Sequence, residues 1–282
     1  MQPVIALLTD FGTVDTYVGV MKGVMLGIRS QIRFIDITHA IQPQNVRQAA
    51  FALMNAYRYF PRGTVFLVVV DPGVGSRRRP LIVSAGGYLF VGPDNGVFSY
   101  ILQEWDNATL VEPTEERFLL PQVSSTFHGR DVFAPLAAHL AADTPLQAMG
   151  LVITDPVLLP APELDLAGDR MRGEVVHIDR FGNVVTSIGE LQWSGDQYLM
   201  LTPRFGEHRE AVLVDAAHSL VKAGEATLTG IRRTYADAGR GDLLATVGSD
   251  GFLEIAMNQG DAAARLALSI GDSVEVRLAP NA

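Results

Sequence analysis

Hydrophobic positions along the chain switch between two periods, and the switch outlines the elements. Four short apolar runs, Val4 to Leu8, Ile32 to Ile37, Val65 to Val70 and Leu81 to Ala85, are rich in β-branched residues and read as strands. Between them the spacing becomes helical. After Asn45, a natural N-cap, residues Val46, Ala49, Ala50, Leu53, Met54 and Tyr57 fall on one face. Tyr17 to Ile28 supply a first crossover helix, and Val132, Phe133, Leu136, Ala137 and Leu140 mark another. Strands alternating with helices predict a layered α/β domain with a mostly parallel sheet. The run from Thr64 to Val70 carries no charge, as expected of a strand buried on both faces.

The pattern changes near residue 150. Asp155-Pro156-Val157-Leu158-Leu159-Pro160-Ala161-Pro162 is proline-rich and reads as an extended connector. Beyond it, Gly173 to Ile178, Asn183 to Ile188, Ala211 to Val214, Leu243 to Val247 and Val274 to Leu278 are short strands with turns between them. They predict a smaller C-terminal β-barrel-like domain. The expected division is an α/β domain over 1–155, a connector over 156–170 and a β-rich domain over 171–282.

Composition narrows the function classes. With 48% hydrophobic and 19% charged residues in 282, the chain is long enough for a filled core and apolar enough for buried strands. No stretch reaches the roughly 20 apolar residues of a membrane helix, and the opening residues lack the basic region of a signal peptide. A cytoplasmic location is the expectation. The absence of cysteine excludes disulfides, thiolate catalysis and Cys-bound metals. A net charge of −9 disfavours nucleic acid and anionic membranes as partners. The one cationic cluster, Arg77-Arg78-Arg79, lies close to Asp71.

Asp71 is the first candidate for chemistry. It stands where the apolar run meets the Gly-rich turn Pro72-Gly73-Val74-Gly75, at the carboxyl end of a strand, where ligand crevices of open α/β sheets lie. Asp10, in Leu8-Thr9-Asp10-Phe11-Gly12, occupies the corresponding place after the first strand. It fits either a ribose-binding carboxylate or a turn-capping one. Asp15 fits an N-cap of the next helix. His128, in Ser124-Ser125-Thr126-Phe127-His128-Gly129-Arg130-Asp131, suits proton sharing with a carboxylate and equally suits loop bracing. Arg130 and Asp131 either pair with each other or cap the helix. Asp179-Arg180-Phe181-Gly182-Asn183 is good hairpin chemistry, as Gly92-Pro93-Asp94-Asn95-Gly96 is good turn chemistry. His39 and His177 have no comparable setting. No familiar nucleotide, hydrolase or zinc signature occurs, and one candidate histidine with scattered aspartates makes no metal site. The residues alone lead to an α/β enzyme with a polar crevice containing Asp10, Asp71, Arg78 and His128.

Taken together and in order, Leu8-Thr9-Asp10-Phe11-Gly12, Val70-Asp71-Pro72-Gly73-Val74-Gly75, Gly92-Pro93-Asp94-Asn95-Gly96, Phe127-His128-Gly129-Arg130-Asp131 and Asp179-Arg180-Phe181-Gly182-Asn183 resemble the S-adenosyl-L-methionine hydroxide adenosyltransferases, relatives of fluorinase and chlorinase. The resemblance extends through Thr234-Tyr235-Ala236-Asp237 and Gly248 to Ala256. It implies hydrolysis of S-adenosyl-L-methionine to adenosine and L-methionine, with no further cofactor. It also implies a homotrimer whose sites join the N-terminal domain of one subunit to the C-terminal domain of its neighbour.

By the same resemblance Asp71, Arg78 and His128 form a catalytic triad. Asp10 binds the ribose, with Asp15 and Phe127 beside the substrate. Asp179 and Asn183 hold the methionyl amine and carboxylate, the Ser249 to Glu254 region meets adenine, and Tyr235 stacks on the base. Asp250 departs from the fluorinase pattern, which has arginine there. Asp71 stands where the halogenases carry tyrosine, and a carboxylate there would repel halide and favour water. A halogenase-type transferase and a non-catalytic adenosine- or S-adenosyl-L-methionine-binding protein are the alternatives.

Overall fold

Alternate side chains of two strands define the N-terminal core. In the computed structural model, which describes residues 2–208 and 210–278, β1 (Val4–Thr9) and β3 (Val65–Val69) lie side by side and parallel. Ile5, Leu7, Val65, Leu67 and Val69 pack with Met21 and Met25 of α1 (Tyr17–Ile28), and with Phe133, Leu136 and Leu140 in and before α4 (Ala134–Ala141). Ala6, Leu8, Phe66, Val68 and Val70 pack instead with Ala49, Leu53 and Tyr57 in and after α2 (Val46–Ala56), and with Phe98 and Ile101 in and before α3 (Ser99–Glu104). The uncharged run is thus buried on both faces, as its composition predicts.

The remaining strands of this sheet are β2 (Arg33–Thr38), β4 (Pro80–Ala85), β5 (Tyr88–Pro93), β6 (Thr109–Pro113) and β7 (Gly150–Ile153), in the order β2-β1-β3-β5-β4-β6-β7. Parallel pairing runs only through β2, β1, β3 and β5; the β5–β4, β4–β6 and β6–β7 pairs are antiparallel. The sheet is therefore mixed rather than mostly parallel. Gly86 and Gly87, both at positive φ, join β4 to β5 in a two-residue hairpin that leaves no room for a crossover helix. Asn45 caps α2 as expected, its side chain accepting the Gln48 N–H at 2.9 Å. Asn45→Ala is expected to cost about 1 kcal/mol in urea unfolding; an unchanged midpoint would remove the cap from the account of this helix.

The chain divides into two compact units between Leu159 and Pro160. The proline-rich stretch before that point is pinned rather than free. Val157 N–H donates to Asp94 Oδ1 and Leu159 N–H to Ser99 Oγ, both at 2.8 Å, and Arg79 reaches Asp155 at 3.1 Å. Residues 164–167, expected within the connector, form β8 (Leu164–Ala167), because Leu164 is buried and the segment hydrogen-bonds along β9 (Arg170–Ile178).

The second unit continues with β10 (Val184–Thr186), β11 (Leu191–Ser194), β12 (Tyr198–Leu201), β13 (Val212–Asp215), β14 (Leu220–Ala223), β15 (Ala226–Thr229), β16 (Ile231–Arg232), β17 (Leu243–Val247), β18 (Leu253–Met257), α5 (Ala262–Leu266) and β19 (Ser273–Arg277). Its main sheet runs β15-β14-β19-β9-β10-β18-β17-β16, with β8 on β9, while β11, β12 and β13 form a separate antiparallel sheet. The two ends of the main path, β15 and β16, are separated in the chain by Gly230 alone, so the sheet curls into a nearly closed barrel. Residues 279–282, the end of the expected second domain, lie outside the described residues. Among the described residues no helix is long and apolar enough to cross a membrane.

Candidate active site

Asp71 follows β3 directly, and the turn after it folds back so that Arg78 grips its carboxylate. Arg78 Nε donates to both Asp71 oxygens at 2.9 and 3.0 Å, and Nη2 lies 2.5 Å from Oδ2. The pair is largely dry, with side-chain exposures of 6% for Asp71 and 9% for Arg78. The strand end is braced by Asn95, whose Nδ2 donates to the Val70 carbonyl at 2.9 Å. The Asp71 turn also closes on the loop before His128. Gly75 has φ +76°, and a Cβ there would stand 2.4 Å from the Ser125 carbonyl oxygen, so only glycine permits this approach.

His128 opens a π-helical turn, Gly129–Phe133, that runs into α4. The buried Asp131 holds this loop in shape: its Oδ2 accepts the Ser124 N–H and Oγ–H at 2.9 and 2.7 Å, and Arg130 Nε meets its Oδ1 at 2.5 Å. The Arg130–Asp131 pairing is thus present. His128 Nδ1 lies 2.7 Å from Arg78 Nη2. A guanidinium can only donate, so Nδ1 is the unprotonated nitrogen and the ring proton sits on Nε2. Burial, followed by the Arg78 charge, pushes the His128 pKa below its ordinary value, while Asp71 and Asp131 act against the shift.

The sign for stability follows from that depression. What neutral His128 contributes is complete above the ordinary imidazole value, about pH 6.5, and is lost as pH falls through the lowered native value. The unfolding free-energy difference between wild type and His128→Asn should therefore shrink from about pH 7.5 to about pH 5. A difference that stays constant or grows toward acid would contradict this.

Asp71 and His128 line a cavity of about 360 Å³ with Asp10, Phe11, Tyr17, Gln44 and Phe127 among its other walls. Arg78 stands behind Asp71 rather than in the lining, its guanidinium 5.0 Å from the Phe133 ring centre. Phe11, Tyr17 and Phe127 pack edge to face or tilted at 5.1–5.9 Å. Asp10 Oδ2 accepts the Gln44 N–H at 2.8 Å. Asp15 is exposed and outside the lining of this cavity, and the N-cap position of α1 falls on Thr16 one residue later, so Asp15 is not the N-cap expected of it. Phe11, Tyr17 and Gln44 were not legible as wall residues. Gln44 lies 34 residues from Asp10, and the one local peculiarity there, a positive φ of 66° at Gln44, carries no sequence signature.

A second cavity, about 740 Å³, lies within the C-terminal unit and collects Asp179, Asn183, Tyr235, Ser249 and Glu254. Asp179 is a turn-former as well as a wall: its Oδ1 accepts the Phe181 and Asn183 N–H groups at 2.8 and 2.9 Å, and its Oδ2 accepts Asn183 Nδ2 at 2.9 Å. Tyr235 Oη donates to Glu254 Oε2 at 3.0 Å. Burial and then the neighbouring Glu254 push the Tyr235 pKa up to about 12. Burial also raises the Glu254 carboxyl; Tyr235 opposes the rise and Asp179 and Asp250 add to it. Asp250 is outside this lining. Arg233, not singled out by sequence, borders the cavity but is engaged by Asp196 at 3.1 Å and lies over the Trp193 ring at 4.1 Å. Among the described residues no group of three or more His, Asp or Glu side chains is placed to hold a metal ion.

Comparison with known proteins finds matches along nearly the whole chain. Residues 5–150 match the SAM hydroxide adenosyltransferase N-terminal domain and residues 173–275 the C-terminal domain. The chain is 38% identical to the (R)-S-adenosyl-L-methionine hydrolase of Thermus thermophilus, over 99% of this chain and 100% of that protein. It is 31% identical to a fluorinase of Actinopolyspora mzabensis, over 98% of this chain and 97% of the other. A crystal structure of an uncharacterized conserved protein from Thermotoga maritima superposes with a TM-score of 0.83 at 35% identity, covering 97% of this chain and 99% of that one. The chain belongs to the SAM hydroxide adenosyltransferase family.

Proposed function

We propose that the protein hydrolyses S-adenosyl-L-methionine to adenosine and L-methionine by attack of water at C5′. The observation that carries the reading is the Asp71 carboxylate, held by Arg78 and lining a cavity together with His128. The sulfonium makes C5′ electrophilic, and methionine departs as a neutral thioether, so no general acid is needed. What the site must supply is alignment of a water opposite the C5′–S bond, at roughly 3–3.5 Å, and an acceptor for its proton.

Asp71 suits the acceptor role. Its two oxygens offer about four lone-pair sites, and Arg78 occupies only part of them. His128 has Nδ1 committed to Arg78, so its contribution is orientation through the other side of the ring rather than proton uptake at Nδ1. Arg78, outside the lining, acts through the two groups it ties together, rather than on the attacking oxygen itself. A carboxylate in the cavity wall disfavours halide and separates this reading from the fluorinase branch.

In the same proposal Asp10 and the aromatic walls take the ribose side of the substrate. Asp179, Asn183, Tyr235, Ser249 and Glu254 take the methionyl and adenine groups. The assembly is a homotrimer whose sites draw on the N-terminal unit of one subunit and the C-terminal unit of another. What supports it is that the two parts of the chain match the family's N-terminal and C-terminal domains. A cytoplasmic setting, no bound cofactor and no nucleic-acid or membrane partner complete the proposal, the last in keeping with a net charge of −9. Activity should then fall on dilution below the assembly constant, and constant specific activity with monomers in light scattering would overturn the trimer.

The decisive test is mass spectrometry after incubation with S-adenosyl-L-methionine in ¹⁸O-water, with and without halide. Adenosine carrying ¹⁸O together with methionine supports hydrolysis. A 5′-halo product moves the protein to the halogenase branch, and tight binding with intact substrate favours a binding protein.

A further inference from the structure

Behind the Asp10 turn, and outside the cavity lining, an Asp–His–Thr chain runs inward from the surface of the N-terminal unit, from the exposed Asp36 to the buried His39 and Thr9. His39, one residue beyond β2, is 7% exposed. Its Nδ1 lies 2.8 Å from Thr9 Oγ1, and its Nε2 lies 3.1 Å from Asp36 Oδ1. Asp36 in turn accepts Lys22 Nζ from α1 at 2.7 Å. Thr9 Oγ1 accepts the Phe11 N–H at 3.2 Å, and the His39 carbonyl accepts the Gly12 N–H at 2.7 Å.

The protons around this chain take one consistent direction. Burial works to raise the Asp36 pKa, but the Lys22 hydrogen bond and the neighbouring His39 prevail and lower it, so Asp36 is ionised and only accepts. His39 Nε2 faces that carboxylate without the alignment of a hydrogen bond, so the ring's bond is the one at Nδ1, which in the neutral, Nε2-protonated ring accepts the Thr9 hydroxyl. That leaves the Thr9 oxygen lone pairs for the Phe11 N–H. His39 consequently holds the turn at two points, through its ring by way of Thr9 to Phe11 and through its carbonyl to Gly12. Asp10 sits between Thr9, bonded to the ring, and Phe11, bonded to Thr9.

These residue types also make nucleophilic triads, but Thr9 is 0% exposed, so its hydroxyl is out of reach of a substrate. We infer that His39 is a positioning residue for substrate binding, which fixes the Thr9–Gly12 turn so that the Asp10 carboxylate and the Phe11 ring meet the ribose side of the substrate. The inference rests on the hydrolase reading and on the contact proposed for Asp10. A site of this kind works when its side chains are held to a fraction of an ångström by groups behind them.

The test is steady-state hydrolysis of S-adenosyl-L-methionine by wild type, His39→Leu, His39→Asn, Asp10→Asn and the double variant His39→Leu with Asp10→Asn. His39→Leu should raise KM about tenfold, the scale of one lost hydrogen bond, with kcat changed less than about threefold. Asn at this position can place an oxygen near the former Nδ1 and accept the Thr9 hydroxyl, so it should restore most of the affinity. In the Asp10→Asn background the His39→Leu effect should shrink, leaving the part that acts through the Phe11 ring, because the part that acts through the Asp10 carboxylate is already lost. Thr9→Val cuts the same link with a side chain of the same shape and carries the same expectation, which keeps the test open should His39→Leu fail to fold. KM penalties that multiply independently, or a fall in kcat at unchanged KM, would overturn the inference. A wild type that does not hydrolyse the substrate would instead sink the functional reading itself.

Discussion

Asp71→Asn is expected to lower kcat for S-adenosyl-L-methionine hydrolysis by about 10²–10⁴-fold and to leave KM within about threefold. The amide has the size and shape of the carboxylate, so the cavity keeps its walls, but it is a far poorer proton acceptor and presents Arg78 with one acceptor oxygen instead of two. The loss should therefore fall on the chemical step. Single-turnover formation of adenosine at saturating substrate measures it directly. A kcat within about threefold of wild type would remove Asp71 from the role of proton acceptor. An equal rise in KM and fall in kcat/KM would make it a binding residue only.

Arg78→Met should be the most destabilising single change at the site. It leaves the Asp71 carboxylate, 6% exposed, without the cation that spans both its oxygens. Breaking a buried pair from one side costs about 3–5 kcal/mol, because the remaining charge stays desolvated. His128 Nδ1 loses its donor in the same step. Met keeps part of the packing against Phe133, so the loss reports charge more than volume. Urea unfolding with an unchanged m-value gives the number. Adding Asp71→Asn to Arg78→Met should recover a large part of it, since the uncompensated charge is gone. A cost under about 1 kcal/mol would mean that Asp71 is solvated in the free protein.

Several features of the N-terminal unit were readable because they depend on neighbours close in the chain. The charge-free run ending at Val70, the helical stripe after Asn45 and the crossover helix Tyr17–Ile28 all follow from local period and capping chemistry. Turn chemistry also read correctly at Asp179, whose carboxylate braces its own hairpin. Gly92 to Gly96 shows the limit of such reading. As composition it is a turn, yet Asp94 is buried against Arg79 and the Val157 N–H, and Asn95 holds the strand end that carries Asp71. Those partners come from 15 to 63 residues away, beyond any local pattern.

His39 marks the same boundary from the other side. Its sequence neighbours offer no hint of a role, because Thr9 is 30 residues earlier and comes beside it only when β1 and β2 pair in parallel. Sequence by itself determined which strand ends in a carboxylate, which segments are helical and that two different architectures follow one another, since hydrophobic period and turn residues act over a few positions. Tertiary structure alone decided that the sheet turns antiparallel after β5, that Arg78 stands behind Asp71 rather than in the cavity, and that His128 presents an unprotonated Nδ1 to Arg78 across 50 residues. Each of these depends on which surfaces pack together, and packing is set by the summed burial of the whole unit rather than by any one segment.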